Sequence, residues 1–96
     1  MIKVKEIELF RVVEKFDNKN IILQFDDILK ANVKIKNCKI TYNRRNGILK
    51  IMDNENIYEV NITPAYCIER NENYTKLEIY LDNSLDIIIN VDKGIQ

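Results

Sequence analysis

The sequence predicts one all-β domain over residues 1–96, folded as a small antiparallel meander or barrel with room for one short helix. Three observations favour this class. Ile, Val, Thr, Tyr and Phe are abundant and Ala is scarce, a composition that suits pleated strands better than helices. Hydrophobic and polar residues alternate in short runs, and turn sequences rich in Asn and Asp separate those runs. A chain of 96 residues is also of the size that forms a single core.

The C-terminal end has the clearest strand pattern. Hydrophobic residues take every second position in 77–81 and again in 85–91, so each run has one apolar face. Asp82-Asn83-Ser84 between them is turn sequence. The two runs therefore predict a β-hairpin with one buried and one solvated face.

A second hairpin is predicted at Asn46-Gly47, because both residue types tolerate a positive φ. A two-residue turn would place Tyr42 opposite Ile51, whereas a turn with a bulge would place Tyr42 opposite Lys50. We favour the first register, since a cross-strand pair of apolar side chains stabilises a sheet more than a mismatched pair.

The rest of the C-terminal two thirds also has the pattern of short strands. Asp53–Asn56 predicts another turn, which leads into an alternating run over residues 58–62. Pro64 is expected to end that strand because proline cannot donate to a β-ladder. Extended chain resumes over residues 66–70. From about Val33 onward, we expect a meander of five or six short antiparallel strands.

The first third is ambiguous. Residues 21–25 alternate as a strand does, and Asp26–Asn32 fits either one helical turn or a loop. Residues 2–16 fit two periods: alternating strands with a phase slip at Lys5-Glu6, or a helix with one apolar stripe. We favour a long, bulged strand over the helix. The stripe of the alternative helix consists of Leu9, Val12, Val13 and Phe16.

The composition excludes most catalytic chemistry. The chain has no His, so triads and zinc sites that depend on His are absent. Cys38 and Cys67 are too far apart in sequence for a CxxC motif, and we interpret them as reduced, buried thiols. The isolated Gly47 and Gly94 cannot form a phosphate-binding loop. We expect no enzymatic activity, no catalytic residues, no cofactor and no metal site.

The sequence also predicts the compartment. No apolar run approaches the length of a membrane helix, and the charged N-terminus has no signal-peptide pattern. We therefore expect a cytoplasmic protein with no membrane association. Ile, Asn and Lys, which have A/T-rich codons, are abundant, and this favours an origin in a low-GC bacterium or its phage.

Charge is balanced overall but divided along the chain. Residues 28–52 contain seven basic residues and no acidic one, whereas residues 1–27 have a net charge of −1 and residues 53–96 one of −6. A phase slip near Asn37 would align the bases along one face and extend a basic stripe to the next hairpin. The candidate binding residues are Lys34, Lys36, Lys39, Arg44, Arg45 and Lys50.

These observations leave several functions open. The leading hypothesis is a non-enzymatic binding protein with a protein partner, such as an accessory or inhibitory factor of a phage or mobile element. Tyr58, Tyr74 and Tyr80 are candidate exposed contacts for such a partner. One alternative is a nucleic-acid or nucleotide-binding module that uses residues 30–50. Another is a structural subunit of a homo-oligomer, and the bases would then form an ordinary solvated face.

Overall fold

The computed structural model describes residues 1–26, 30–81 and 85–93. Within these ranges the chain is mostly β, with two antiparallel sheets and one short helical segment. The helical segment is a 3-10 turn (Glu6–Glu8) followed by α1 (Leu9–Glu14). The strands are β1 (Ile2–Lys3), β2 (Ile21–Asp26), β3 (Lys30–Ile35), β4 (Lys39–Asn43), β5 (Ile48–Met52), β6 (Ile57–Asn61), β7 (Ala65–Arg70), β8 (Lys76–Leu81) and β9 (Asp86–Val91). The predicted all-β class is confirmed, and the described strands do not close into a barrel.

The larger sheet has six strands in the order β1-β7-β8-β9-β2-β3. Its centre contains the predicted C-terminal hairpin, which is confirmed as β8 and β9, with Leu77 opposite Ile89 and Ile79 opposite Ile87. The turn predicted at residues 82–84 lies outside the described residues. The alternating run at 21–25 is confirmed as part of β2, which pairs with β9 and β3.

The smaller sheet has the order β4-β5-β6, and it contains the hairpin predicted at Asn46-Gly47. Neither expected register is correct. Tyr42 lies opposite Leu49, so the connecting loop is the four residues between Asn43 and Ile48. Tyr42 and Leu49 still form an apolar cross-strand pair. Such a pair was the reason for favouring the first of the two expected registers.

The longer loop forms because only one of the two turn residues has a positive φ. Gly47 has φ +70°, and its N–H donates to the Asn43 carbonyl at 2.9 Å. Asn46 instead accepts a hydrogen bond at Oδ1 from the Ile48 N–H at 3.0 Å, and Asn43 Oδ1 accepts one from the Arg45 N–H at 2.9 Å. These side-chain contacts to backbone favour a wider turn than the two-residue type.

The chain passes from the larger to the smaller sheet at Asn37, which has φ +49°. The phase slip predicted there is confirmed, because Cys38 and Ile40 are buried while Lys39 and Thr41 are exposed. The expectation of one continuous meander is corrected, since β3 and β4 belong to different sheets.

The strand favoured over residues 2–16 is wrong beyond Lys3. The chain leaves the larger sheet after β1, and the phase slip at Lys5-Glu6 marks this departure. α1 then packs against β4, and the apolar stripe that begins in α1 and ends at the fully buried Phe16, in the turn after the helix, enters the core. Tertiary burial decides between two local periods that are equally good in isolation.

One hydrophobic core joins both sheets and α1. The largest fully buried side chains come from α1 and the turn after it and from β2, β3, β5, β8 and β9, so every layer contributes to the core. These side chains are Phe16, Leu9, Ile21, Leu23, Ile35, Leu49, Ile51, Leu77, Ile79, Ile87, Ile89 and Val13. No helix within the described ranges is long and apolar enough to span a bilayer.

The helical turn or loop predicted at Asp26–Asn32 is wrong at both ends, because Asp26 belongs to β2 and residues 30–32 belong to β3, and residues 27–29 lie outside the described residues. The turn predicted at Asp53–Asn56 is confirmed. Asp53 Oδ1 accepts hydrogen bonds from the backbone N–H groups of Glu55 at 2.8 Å and Asn56 at 2.7 Å. These bonds favour the charged carboxylate and lower the pKa of Asp53. β6 ends before Pro64, and β7 begins directly after it.

Candidate binding groove

Two adjoining clefts form a groove at one end of the smaller sheet. One cleft, of about 370 Å³, lies beneath the Arg44–Gly47 loop, and the other, of about 380 Å³, runs along β7. Both are lined by Glu6, Ala65 and Ile68, which makes them continuous. We call the combined feature the groove.

The groove exists because β1 is short. The Val4 N–H donates to the Ile68 carbonyl at 2.8 Å, and the chain then turns away as the Glu8 N–H donates to the Lys5 carbonyl at 2.9 Å. Consequently the first residues of β7 have no β1 partner in the described register. This part of β7 forms one wall of the groove.

Tyr66 stands at the rim of the groove. The register between β7 and β8 shifts between Ala65 and Cys67, so Tyr66 is the extra residue of a β-bulge. Its side chain is 69% exposed, and its ring centre lies 6.3 Å from that of Tyr80. A bulge of this kind redirects a side chain out of the alternation of its strand, which explains the exposure of an aromatic residue here.

Glu6 links the N-terminal segment to the β4–β5 hairpin. The Tyr42 hydroxyl donates to Glu6 Oε1 at 2.7 Å, and Arg44 Nε lies 3.3 Å from Glu6 Oε2. Burial, together with the hydrogen bond to Glu6 and its negative charge, raises the pKa of Tyr42 to about 12. The Tyr42 hydroxyl is therefore a neutral hydrogen-bond donor near pH 7, and this contact fixes one end of the groove.

The replacement Glu6→Gln is expected to lower the pKa of Tyr42 without restoring its ordinary value, because burial is the larger cause of the shift. Folding raises this pKa, so the folded state keeps a proton that the unfolded chain releases. The resulting stabilisation is complete below about pH 10 and is lost as the pH rises to about 12. An NMR titration of the Tyr42 ring measures the change.

Glu55→Gln is the control for this titration, because Glu55 is an exposed carboxylate in the distant β5–β6 turn. It removes the same charge and is expected to leave the pKa of Tyr42 unchanged. An equal shift in both variants would mean that overall charge, and not the contact with Glu6, sets this pKa.

Most of the large exposed apolar side chains lie in the first ten residues or on β7. Six of them are described, and five lie just before β1, on β1, on the helical segment that follows it, or on β7, which pairs with β1. Tyr66 is the one among these five that lines the groove. The sixth, Ile57, is on β6. We call the five the N-terminal surface: Met1, Ile2, Ile7, Phe10 and Tyr66.

Sequence reasoning missed this surface. It named Tyr58, Tyr74 and Tyr80 as exposed, and all three are half-buried. Phe10 and Ile7 become exposed only because the segment is helical, and Tyr66 only because of the bulge. No local pattern in the sequence marks either feature.

The six candidate cations do not lie on one element. Lys34 is on β3 in the larger sheet, whereas Lys39 and Lys50 are on the smaller sheet. Arg44 and Arg45 follow β4 and line the groove. The remaining cation, Lys36, joins Lys34 and the Asp53–Asn56 turn in a separate cleft of about 360 Å³. The arrangement brings Arg44 together with Arg45 and Lys34 together with Lys36, and it divides the six cations between the two sheets and their connections.

Three of the six candidate cations have a side-chain partner among the described residues. Lys50 Nζ lies 3.8 Å from Glu59 Oε1 on the adjacent strand, in addition to the Arg44–Glu6 pair. Lys39 Nζ donates to Asn18 Oδ1. Exposed pairs such as these each stabilise the fold by about 1 kcal/mol or less. Their main effect here is to neutralise part of the positive surface.

The thiols have no arrangement that points to chemistry. Cys38 is buried, its Sγ donates to the Phe16 carbonyl at 3.1 Å, and burial raises the pKa of this thiol. Cys67 is half-buried. Within the described ranges, no cluster of three or more Cys, Asp or Glu side chains is placed to hold a metal ion.

Comparison of the chain with protein-family models, with curated proteins and with solved structures finds no match.

Proposed function

We propose that this chain is a non-enzymatic binding protein that holds a protein partner through the N-terminal surface and the adjoining groove. The observation that carries the proposal is that five of the six exposed large apolar side chains described lie in residues 1–10 or on β7, which pairs with β1. Isolated exposed apolar residues are normal on soluble proteins, but a group at one place indicates an interaction site.

The composition of this surface supports a protein partner. Tyr66 and Phe10 are aromatic residues, the type that dominates the centres of protein interfaces. Three basic residues border this surface. Lys3 and Lys5 line the part of the groove that runs along β7, and Arg45 lines the part beneath the β4–β5 hairpin. An apolar centre with a charged rim is the usual anatomy of a protein interface.

The distribution of the basic residues favours this proposal over nucleic-acid binding. The candidate cations lie on separate elements, and Arg44, Lys50 and Lys39 already contact other side chains. Binding to single-stranded nucleic acid relies on a continuous positive groove with exposed aromatic rings for the bases. Tyr42, the aromatic residue closest in sequence to Arg44, is half-buried and hydrogen-bonded to Glu6.

Two substitutions test the proposal with a matched control. Ile7→Glu places a charge in the N-terminal surface, whereas Ile57→Glu places the same charge on β6 at a side chain of similar exposure, 63% against 56%. We expect Ile7→Glu to weaken the complex with the native partner by about thirtyfold, as for a central interface residue, and Ile57→Glu to bind like the original protein. The partner is identified by mass spectrometry after nuclease treatment, and its affinity is measured by calorimetry.

Circular dichroism of both variants checks that each remains folded. The proposal is wrong if Ile7→Glu binds the partner unchanged, or if Ile57→Glu weakens binding as strongly. Loss of all bound material on nuclease treatment would instead favour the nucleic-acid module.

A further inference from the structure

We infer that a second site on this protein, around Tyr74, binds a phosphate group carried by a small phosphomonoester or present as free phosphate. The site is a cleft of about 330 Å³ on the side of α1 that faces the β7–β8 connection. It shares no lining residue with the groove, so it stands independently of the proposed function. Its lining residues are Glu8, Arg11, Val12, Lys15, Arg70 and Tyr74.

Cations from two separate parts of the chain meet in this cleft. Arg11 is in α1 and Lys15, four residues later, is the helical residue that caps its C-terminus, so the two share one face. Arg70 ends β7, and its guanidinium carbon lies 4.2 Å from the centre of the Tyr74 ring. Lys15 Nζ lies 5.6 Å from the same ring. The ring thus holds positive charges from the helix and from the sheet close together.

The backbone that presents Tyr74 is held in an unusual conformation. Tyr74 has φ +56°, in the left-handed region that bulky side chains rarely adopt. Asn71 maintains it, since Asn71 Oδ1 accepts hydrogen bonds from the backbone N–H groups of Thr75 at 2.9 Å and Lys76 at 3.0 Å. A disfavoured conformation that its surroundings hold in place is a common feature of binding sites.

The charges of the cleft match a phosphate better than a carboxylate. Three cations and one acid, Glu8, line it, which leaves two positive charges among the described lining residues. A phosphomonoester carries close to two negative charges near pH 7, whereas a carboxylate carries one. The planar guanidinium groups of Arg11 and Arg70 also suit phosphate oxygens, which accept paired hydrogen bonds.

Arg11 distinguishes this site from simple packing around an aromatic ring. Its guanidinium carbon lies 5.6 Å from the Phe10 ring, so Tyr74 does not account for its place at the cleft. Removing the charge of Arg11 therefore tests anion binding without removing a contact that holds the Tyr74 loop.

The test is a titration of the full chain with inorganic phosphate and with glycerol 3-phosphate, at constant ionic strength, followed by NMR and calorimetry. We expect the Tyr74 amide and the Arg70 side-chain signals to shift, and Arg11→Gln and Lys15→Gln each to weaken binding by about tenfold. Lys19→Gln is the matched control, because Lys19 is exposed and does not line the cleft. Glycerol at the same concentrations controls for the organic part of the ester.

Tighter binding of the ester than of inorganic phosphate would assign the site to phosphomonoesters, and equal binding would assign it to free phosphate. The inference is overturned if neither compound shifts the Tyr74 and Arg70 signals more than chloride does. It is also overturned if Lys19→Gln weakens binding as much as Arg11→Gln, since general electrostatic attraction would then explain the effect. The NMR spectrum of each variant without ligand verifies that it is folded.

Discussion

Phe16→Ala is expected to lower the free energy of unfolding by about 3–5 kcal/mol. The Phe16 side chain is fully buried and is among the largest side chains of the core. Its removal leaves a cavity between α1 and the sheets that rigid neighbours cannot fill. Chemical denaturation followed by circular dichroism measures the loss.

Phe10→Ala is the matched control, because Phe10 is on the same segment and its side chain is 40% exposed. We expect Phe10→Ala to lower the free energy of unfolding by less than about 1 kcal/mol.

The two substitutions also discriminate between the strand and the helix that residues 2–16 could form. On a strand, Phe10 and Phe16 would share one face, since they are an even number of residues apart, and both substitutions would destabilise alike. On a helix they lie on different faces. Equal losses in the two variants would contradict the helical segment.

Gly47→Ala is expected to lower the free energy of unfolding by about 2–4 kcal/mol, through two separate causes. Gly47 has φ +70°, where a side chain is disfavoured by about 1–2 kcal/mol. A Cβ atom at this position would also overlap Thr63 Oγ1, so the Thr63 side chain or the backbone of the 62–64 turn would have to move. The Ile62 N–H donates to the Gly47 carbonyl at 2.8 Å, and movement of the turn would strain this bond.

A double-mutant cycle with Thr63→Ala separates the two causes. Thr63 is exposed, so Thr63→Ala alone is expected to change stability by about 0.5 kcal/mol or less. In the Gly47→Ala background it is expected to recover the steric part of the loss and leave the backbone part. Strictly additive effects would mean that the two residues do not meet in the folded protein.

The sequence predicted those parts of the fold in which one local pattern had one interpretation. The β8–β9 hairpin is an example, because alternation over residues 77–81 and 85–91 is long enough to exclude a helix. Residues 2–16 are the opposite case. Both periods fit them, and the deciding term is the burial of Phe16 against residues that are distant in sequence.

The candidate site was less predictable than the fold, for a physical reason. The groove depends on β1 ending at Lys3 while β7 continues, and these strands are separated by most of the chain. The exposure of Tyr66 depends on a bulge in the pairing with β8. The basic run at 28–52 is visible in the sequence, but the division of its residues between two sheets is not.

The same limit applies to the cleft around Tyr74. Arg11 and Arg70 are unremarkable in the sequence, because each is a single base among acidic and apolar neighbours. Only the packing of the helical segment beside the end of β7 brings them together. Net charge along the chain pointed to residues 28–52, and the proposed anion site lies outside that run.

Hydrogen–deuterium exchange of the free protein and of its complex with the native partner tests the binding account most directly. We expect slower exchange in the complex over residues 2–10 and at Tyr66, where the N-terminal surface and the groove meet. Residues 30–36 and 48–52, which do not line the groove, are expected to exchange as in the free protein. Protection confined to residues 39–52, with no change over 2–10, would contradict the account and return the binding role to the basic segment.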